Sequence, residues 1–442
     1  MLPDMQRARI LCHELPALGW DVEILTPDAS FQRAWYISPG DAVFFDADTP
    51  VHRAGKWMSS LFQAARISSI GWRSFWPMFR LGSGLLKTQR FDLVYFSTTQ
   101  FLLFCLGPIW RLMYGVPYVL DFQDPWYIRK YKHLTSTASW KSKLGRWLAP
   151  SLQRLAVGSA DAIVAVSSNY LDELRAIYQG SVFRWLAADR QAVVPFAGSI
   201  VDIQSMRRAL ANGSHLSHAA DPRPAPSGAR LELVYVGAGG ITRLKAWEAL
   251  CQATSAVRSH NPQLIDRIQF RFYGTTSDPT AKDAGLLERT ANALGLPEIV
   301  AEKAAQVSYF QSLELAHASA GLVVLGVDDA KYTPSKLFSY LLFDQPVLAV
   351  CHARSPAADF LRAHPSLAHL ICFDPEVPGE PMQAAQALEA YLQEVLAGKK
   401  NSRAEEIADH LAPAMAEVHA ELFERCTETT IRASRDEFPI AR

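Results

Sequence analysis

From Thr49 to Phe91 the chain has no aspartate or glutamate, and Pro125 to Ala160 has none either. Cysteine is sparse as well. The six (Cys12, Cys105, Cys251, Cys351, Cys372, Cys426) are scattered without paired spacing, which excludes a disulfide framework or a cysteine-based metal site and suits reduced, mostly buried thiols of a cytosolic protein. No basic start followed by an apolar run opens the sequence, so no signal peptide is expected. The longest apolar run, Phe101 to Trp110, contains Gly107-Pro108 and ends at Arg111; it is too short to span a bilayer. Tandem repeats are missing. No recognised nucleic-acid module accompanies the charge, so nucleic acid is not an expected partner.

What is there begins with bulk. At 442 residues and 49% apolar, the chain has core material for two or three domains. Net charge is zero, but residues 1–200 carry 21 Lys and Arg against 15 Asp and Glu, leaving 23 against 29 for the rest. That asymmetry directs the first half toward something anionic. In the first acid-free stretch Arg53, Lys56, Arg66, Arg73, Arg80, Lys87 and Arg90 alternate with Trp57, Phe62, Trp72, Phe75, Trp76 and Phe79. The second holds Arg129, Lys130, Lys132, Lys141, Lys143, Arg146 and Arg154 with Trp126, Trp140 and Trp147. Residues 53–90 and 125–160 therefore suit an anionic membrane surface, stems snorkelling and rings at headgroup depth. Packed helices with solvated basic positions are the alternative.

Beta and alpha patterns alternate through most of the chain. A helical pattern from Asp4 to Leu15 comes first, so the strand and tight glycine loop that normally open a doubly wound domain are missing. The expectation is an annotated start too far downstream, with an apolar strand encoded in frame before it. Phe91 to Ser97 and Pro117 to Phe122 read as strands, the second delivering Asp121-Phe122-Gln123-Asp124-Pro125-Trp126 at its carboxyl end, where open α/β sheets bind ligands. A carboxylate there orients or deprotonates a hydroxyl; Asp124 is the more exposed candidate and Asp121 suits a turn cap. Ala162 to Asn169 is a further strand ending in hydroxyls, and Ala192 to Pro195 a last short one.

In the second half the strand Leu231 to Val236 runs into Gly237-Ala238-Gly239-Gly240-Ile241-Thr242-Arg243-Leu244-Lys245. Small residues admit close backbone approach, and Arg243 and Lys245 add charge at a helix amino terminus. A dinucleotide fingerprint competes, but its third glycine position is Thr242. The next strand, Gln269 to Tyr273, ends in Tyr273-Gly274-Thr275 with no acid for a ribose. A helix from Ser312 to Ala318 precedes the strand Gly321 to Gly326. Then comes Tyr332-Thr333-Pro334-Ser335-Lys336-Leu337-Phe338-Ser339-Tyr340, which reads as a loop and a helix start capped by Thr333 or Ser335, bringing backbone N–H groups, a hydroxyl and an ammonium to one anion. An ordinary αβ unit with a surface lysine has the same pattern. Asp344-Gln345-Pro346 turns the chain into the apolar strand Val347 to Val350. Leu370 to Phe373 is a last strand, and Pro381 to Thr430 reads as helical with polar faces.

In this order, the strand into Asp121 to Trp126, the strand into Ser167-Ser168, the strand into Gly237 with Arg243 and Lys245, and Pro334 to Phe338 followed by Pro346 resemble the GT-B glycosyltransferases, specifically glycosyltransferase family 4. Gln6 to Arg9 and Gly19-Trp20 are similar to that family's first helix. The resemblance implies an α/β chain of two Rossmann-like domains facing across a cleft: 1–205 on the acceptor side, a linker at 206–229, 230–410 binding a nucleotide sugar, and a helical tail at 411–442. It implies sugar transfer (EC 2.4) with retention of anomeric configuration and without a required metal or cofactor. Arg243 and Lys245 match the family's diphosphate-binding pair and Asp124 its catalytic-loop position, while Gly237, Gly239, Gly274, Pro334, Ser335, Lys336 and Ser339 fall at donor-binding positions. Ser339 stands where the family has a ribose-gripping glutamate, and a hydroxyl cannot hold both ribose hydroxyls. Asp46-Ala47-Asp48 has the spacing of a metal-binding motif but is taken as chance. The expected activity is transfer from a nucleotide sugar to a glycan or lipid-linked acceptor for a surface polysaccharide, on the cytoplasmic face of the membrane. A GT-B-like binding or scaffold protein without turnover is the alternative, and a nicotinamide oxidoreductase a distant third.

Overall fold

The computed structural model describes residues 3–28, 31, 39–44, 48–55, 69–124, 126, 140–213, 230–276, 283–377 and 381–437. The chain forms two compact units. Asp46 and Ala47, Pro125, the stretches 56–68 and 127–139, and 214–229 of the expected linker lie outside the described residues.

The amino-terminal unit combines residues 2–37, 46–195 and 412–442. It begins on the helix Pro3–Glu14. Strands β1 (Ile24–Pro27) and β2 (Val51–Ala54) pair in parallel. A separate parallel sheet has the order β3 (Val94–Ser97), β4 (Tyr118–Phe122), β5 (Ala162–Ala165), β6 (Gln191–Val193). Every residue of β4 and β5 is buried, as a parallel sheet covered on both faces requires. Because side chains alternate along a strand, the two faces differ. Phe96, Tyr118, Leu120, Phe122, Ile163 and Ala165 share one apolar core with the helices Ile70–Thr88, Leu106–Tyr114 and Trp140–Gly158. The alternate residues Tyr95 and Asp121 meet polar groups from the first helix and from the final helix, Ala412–Glu437.

The carboxyl-terminal unit takes residues 38–45 and 196–411. Its six-stranded parallel sheet has the order β12 (His369–Phe373), β11 (Val347–His352), β10 (Gly321–Leu325), β7 (Leu231–Val236), β8 (Ile268–Tyr273), β9 (Val300–Lys303). Trp247, Phe270 and Phe272 anchor one face, and Phe310, Leu337 and Phe343 the other. Each fully buried large side chain of this kind contributes roughly 1.5–3 kcal/mol.

The first division falls after residue 195 instead of the expected 205, while the later one falls at 411, beside the expected 410. Helix Ile200–Ala211 belongs to the carboxyl-terminal unit, where buried Asp202 accepts a hydrogen bond from Tyr309 at 2.8 Å. Asp41 from the first half accepts the Phe310 N–H at 2.9 Å, and the Phe44 ring packs on Tyr309. The helical stretch expected from 381 to 430 is two helices, Pro381–Leu396 and Ala412–Glu437, assigned to different units. Local periodicity reports helices but not which sheet they cover.

Candidate active site

In the carboxyl-terminal sheet, β7 leads to β8 and β9 on one side, while β10, on its other side, leads to β11 and β12. The carboxyl ends of β7 and β10 thus flank the topological switch point, the ligand site of open α/β sheets. Two cations meet there. Arg243 follows β7 by way of the glycine turn, and Lys336 follows β10.

Arg243 is held from three sides. Its Nε donates to the Tyr235 hydroxyl and the Ala238 carbonyl, both at 3.1 Å, and its Nη2 to the Tyr332 hydroxyl at 2.9 Å. The guanidinium carbon also lies 4.9 Å from the Tyr332 ring centroid, a cation–π distance. Nη1 is buried with no hydrogen-bond partner among the described residues. An orphaned buried donor carries a desolvation cost of about 1–3 kcal/mol, which an incoming anion removes.

Lys336 approaches the backbone of Gly237. A Cβ at that glycine would lie 2.5 Å from the ammonium nitrogen and displace it, and the φ of +147° favours glycine there. Burial and the neighbouring Arg243 charge lower the Lys336 pKa to about 8. Among the described residues neither cation has a carboxylate ion-pair partner.

The remaining expected donor residues divide. Gly237 and Gly239 build the turn, but their N–H groups already donate to Tyr273 and Thr275 carbonyls at 2.9 and 2.8 Å. Gly274 adopts φ +69° at the end of β8, its N–H bonded to Lys303. The expected helix cap at Thr333 or Ser335 is not formed. The helix is only Leu337–Leu341, Lys336 occupies its cap position, and no side chain caps it; Pro334 instead accepts the Leu337 N–H in a turn. A five-residue helix brings little dipole to an anion. Ser335 and Ser339 are partly buried, and the Ser339 hydroxyl has no partner among the described residues. Lys245 does not join the pair: it is exposed and bonds Glu248 one turn on, at 3.0 Å.

In the amino-terminal unit Asp124 is exposed just beyond β4. Asp121, considered as a turn cap, is instead completely buried and paired with Arg7 at 3.0 Å. Gln123 donates to it at 2.6 Å and Ser97 at 3.3 Å, while Arg7 also reaches the Val194 carbonyl. Nearby, buried His419 bonds Tyr95 and Met415. Burial and the Arg7 charge push its pKa down to about 3, so it is neutral. Sequence reasoning missed Tyr235 and Tyr332 as the holders of Arg243; their only signal was proximity to the two basic motifs. Among the described residues no cluster of His, Cys, Asp or Glu is arranged to hold a metal, and no helix is long and apolar enough to cross a membrane.

Residues 6–197 match the family model described as a glycosyl transferase 4-like domain. Curated protein sequences contain no match. Among solved structures, the chain is similar to an α,α-trehalose 6-phosphate synthase from Burkholderia multivorans, at 13% identity over 84% of this chain and 78% of that one, with a TM-score of 0.53. A UDP-forming trehalose-phosphate synthase from Burkholderia xenovorans is 12% identical over 82% and 78%, with a TM-score of 0.52. Sucrose-phosphate synthase from Thermosynechococcus elongatus is 14% identical over 98% and 92%, with a TM-score of 0.50. The chain has the GT-B fold, and residues 6–197 match a glycosyl transferase 4-like domain.

Proposed function

Proceeding from a GT-B fold with a glycosyl transferase 4-like domain, we propose that this chain transfers a sugar from a nucleoside-diphosphate sugar to a glycan or lipid-linked acceptor, with retention of configuration and without a metal. The carrying observation is the pair Arg243 and Lys336 at the switch point, with Nη1 unfilled and no carboxylate partner among the described residues. Breaking the bond between sugar and phosphate leaves negative charge on the departing diphosphate, and preorganised cations stabilise that charge as it develops. Asp124 is proposed to orient the acceptor hydroxyl. Gly237, Gly239, Gly274, Pro334, Ser335 and Ser339 are proposed to shape the donor pocket, and the reaction to serve surface polysaccharide assembly on the inner face of the cell membrane. The trehalose-phosphate synthase from Burkholderia xenovorans is UDP-forming, which makes UDP sugars the first donors to try.

The test is a thermal-shift series with UDP, GDP, their sugars and NAD on the wild type and on Arg243→Ala/Lys336→Ala. Stabilisation by one nucleoside diphosphate, lost in the double variant, is expected; stabilisation by NAD alone, or by nothing, overturns the proposal. The unfilled Ser339 hydroxyl favours one second reading, a donor-binding protein without turnover. If Ser339→Glu tightens donor binding and transfer then becomes measurable, the site is a weakened enzyme; binding without transfer in either form favours the scaffold.

A further inference from the structure

The three helices that cover the apolar face of the amino-terminal sheet pack side by side, Leu106–Tyr114 between Ile70–Thr88 and Trp140–Gly158. Hydrogen bonds join them to one another and to the sheet: Trp110 donates to Ser83, and Arg111 reaches Ser159 and Asp161. Their inner sides are accounted for by the core. Their outer sides expose large apolar groups: Trp72 and Trp76 on the first helix, Leu112 and Met113 on the second, Trp147 and Leu155 on the third. Leu112 is 89% exposed and Trp147 75%, and it is the gathering of six such groups on one layer, not any single one, that calls for a partner.

Charge on this layer has a single sign. The three helices contain no aspartate or glutamate at all, whereas Ser168–Tyr178 and Ala412–Glu437 in the same unit carry several. On the first helix Trp72, Trp76, Arg80 and Lys87 fall on one exposed stripe, following the repeat of 3.6 residues. On the third, Trp147, Arg154 and Leu155 share the outer side. Tryptophan at the ends of basic stems is the composition that settles at headgroup depth, and protruding leucine and methionine reach the acyl boundary. A nucleic acid would use the bases but has no use for Leu112 and Met113. No helix among the described residues spans a bilayer, so attachment lies along the surface.

We infer that the outer face of this three-helix layer docks on an anionic lipid bilayer, with Trp72, Trp76, Leu112, Met113, Trp147 and Leu155 as inserted groups and the surrounding bases facing lipid phosphates. This names the surface behind the membrane setting proposed above, and so rests on that setting. The middle helix, outside both acid-free stretches, adds Leu112 and Met113 to this surface.

Flotation of the full chain with vesicles of pure phosphatidylcholine, and of phosphatidylcholine containing phosphatidylglycerol, tests it. Binding only to the anionic vesicles, with a blue shift of tryptophan emission, is the expected result. Leu112→Asp/Trp147→Asp alters two exposed positions and is expected to cut partitioning about tenfold or more, with thermal stability and UDP-induced stabilisation unchanged. Equal binding to both vesicle types, or undiminished binding of the double variant, overturns the inference. Binding to heparin or RNA without binding to vesicles also overturns it, in favour of a nucleic-acid or polyanion surface. Failure of donor binding in the wild type with vesicle binding intact would reject the transferase proposal and leave the docking surface standing.

Discussion

Each unit holds a guanidinium near its sheet, Arg7 fully buried and Arg243 partly so, and the two are answered differently. Arg7 meets the equally buried carboxylate of Asp121, itself supported by Gln123 and Ser97. Among the described residues Arg243 meets phenols, a carbonyl and a second cation, and its Nη1 has no partner. A buried charge with its counter-ion inside the fold is a structural element, since both desolvation costs are offset at folding. A pair of cations without one stores that cost until a ligand arrives. On this difference Arg7 is read as architecture and Arg243 is proposed as function.

Breaking the first pair should have the largest effect. Asp121→Ala leaves Arg7 buried without its carboxylate, so a loss of about 3–5 kcal/mol is expected, read as a lowered urea midpoint. Arg7→Met/Asp121→Leu should lose less than either single variant. Breaking the second pair should reverse the pattern. Arg243→Ala/Lys336→Ala is expected to lower donor-dependent transfer by roughly 10²–10³-fold, with the urea midpoint unchanged or raised.

Acid separates the units as well. His419 stays neutral until about pH 3 in the folded chain, whereas unfolded histidine binds its proton near 6.5. Stability should therefore fall as pH drops from about 6.5 toward 3, by up to about 1.4 kcal/mol per pH unit from this group. His419→Gln should flatten that slope in urea titrations across the range. On the alkaline side, Lys336 binds an anion only while protonated. Affinity for a nucleoside diphosphate should be full below about pH 8 and weaken above it, by up to tenfold per unit. Lys336→Arg, which keeps its charge, should abolish that dependence in calorimetric titrations.

The smallest effect is expected from Lys245→Ala. An exposed pair with Glu248 is worth about 0.2–1 kcal/mol, so transfer should change less than about threefold. A loss as large as that of the Lys336 variant would show that Lys245 swings onto the donor, and would redraw the site.

Much of this was legible from local pattern. Buried strands such as Tyr118–Phe122 and Val347–His352 show as apolar runs because parallel sheets covered on both faces need them. Gly237 and Lys336 were legible for the same reason: close backbone approach and a basic residue after a strand are local signals. The partnership of Arg7 with Asp121 was not, because 114 residues separate them. Nor was the release of Lys245 to Glu248, since i,i+3 neighbours on a helix compete for a lysine that sequence order alone assigns to the strand end. The short helix at Leu337 shows the same limit: Ser335 has the composition of a cap, but the Pro334 turn takes the position first.

The sequence by itself determined the alternation of strands and helices, the acid-free basic aromatic stretches and the two basic motifs, because periodicity, charge and turn chemistry act between near neighbours. Only the tertiary structure decided which cation stands beside which, that Asp121 is neutralised while Arg243 waits, and that residues 412–437 return to the first unit. Those outcomes depend on desolvation and on counter-ions, and a chain meets both only when distant segments are brought together.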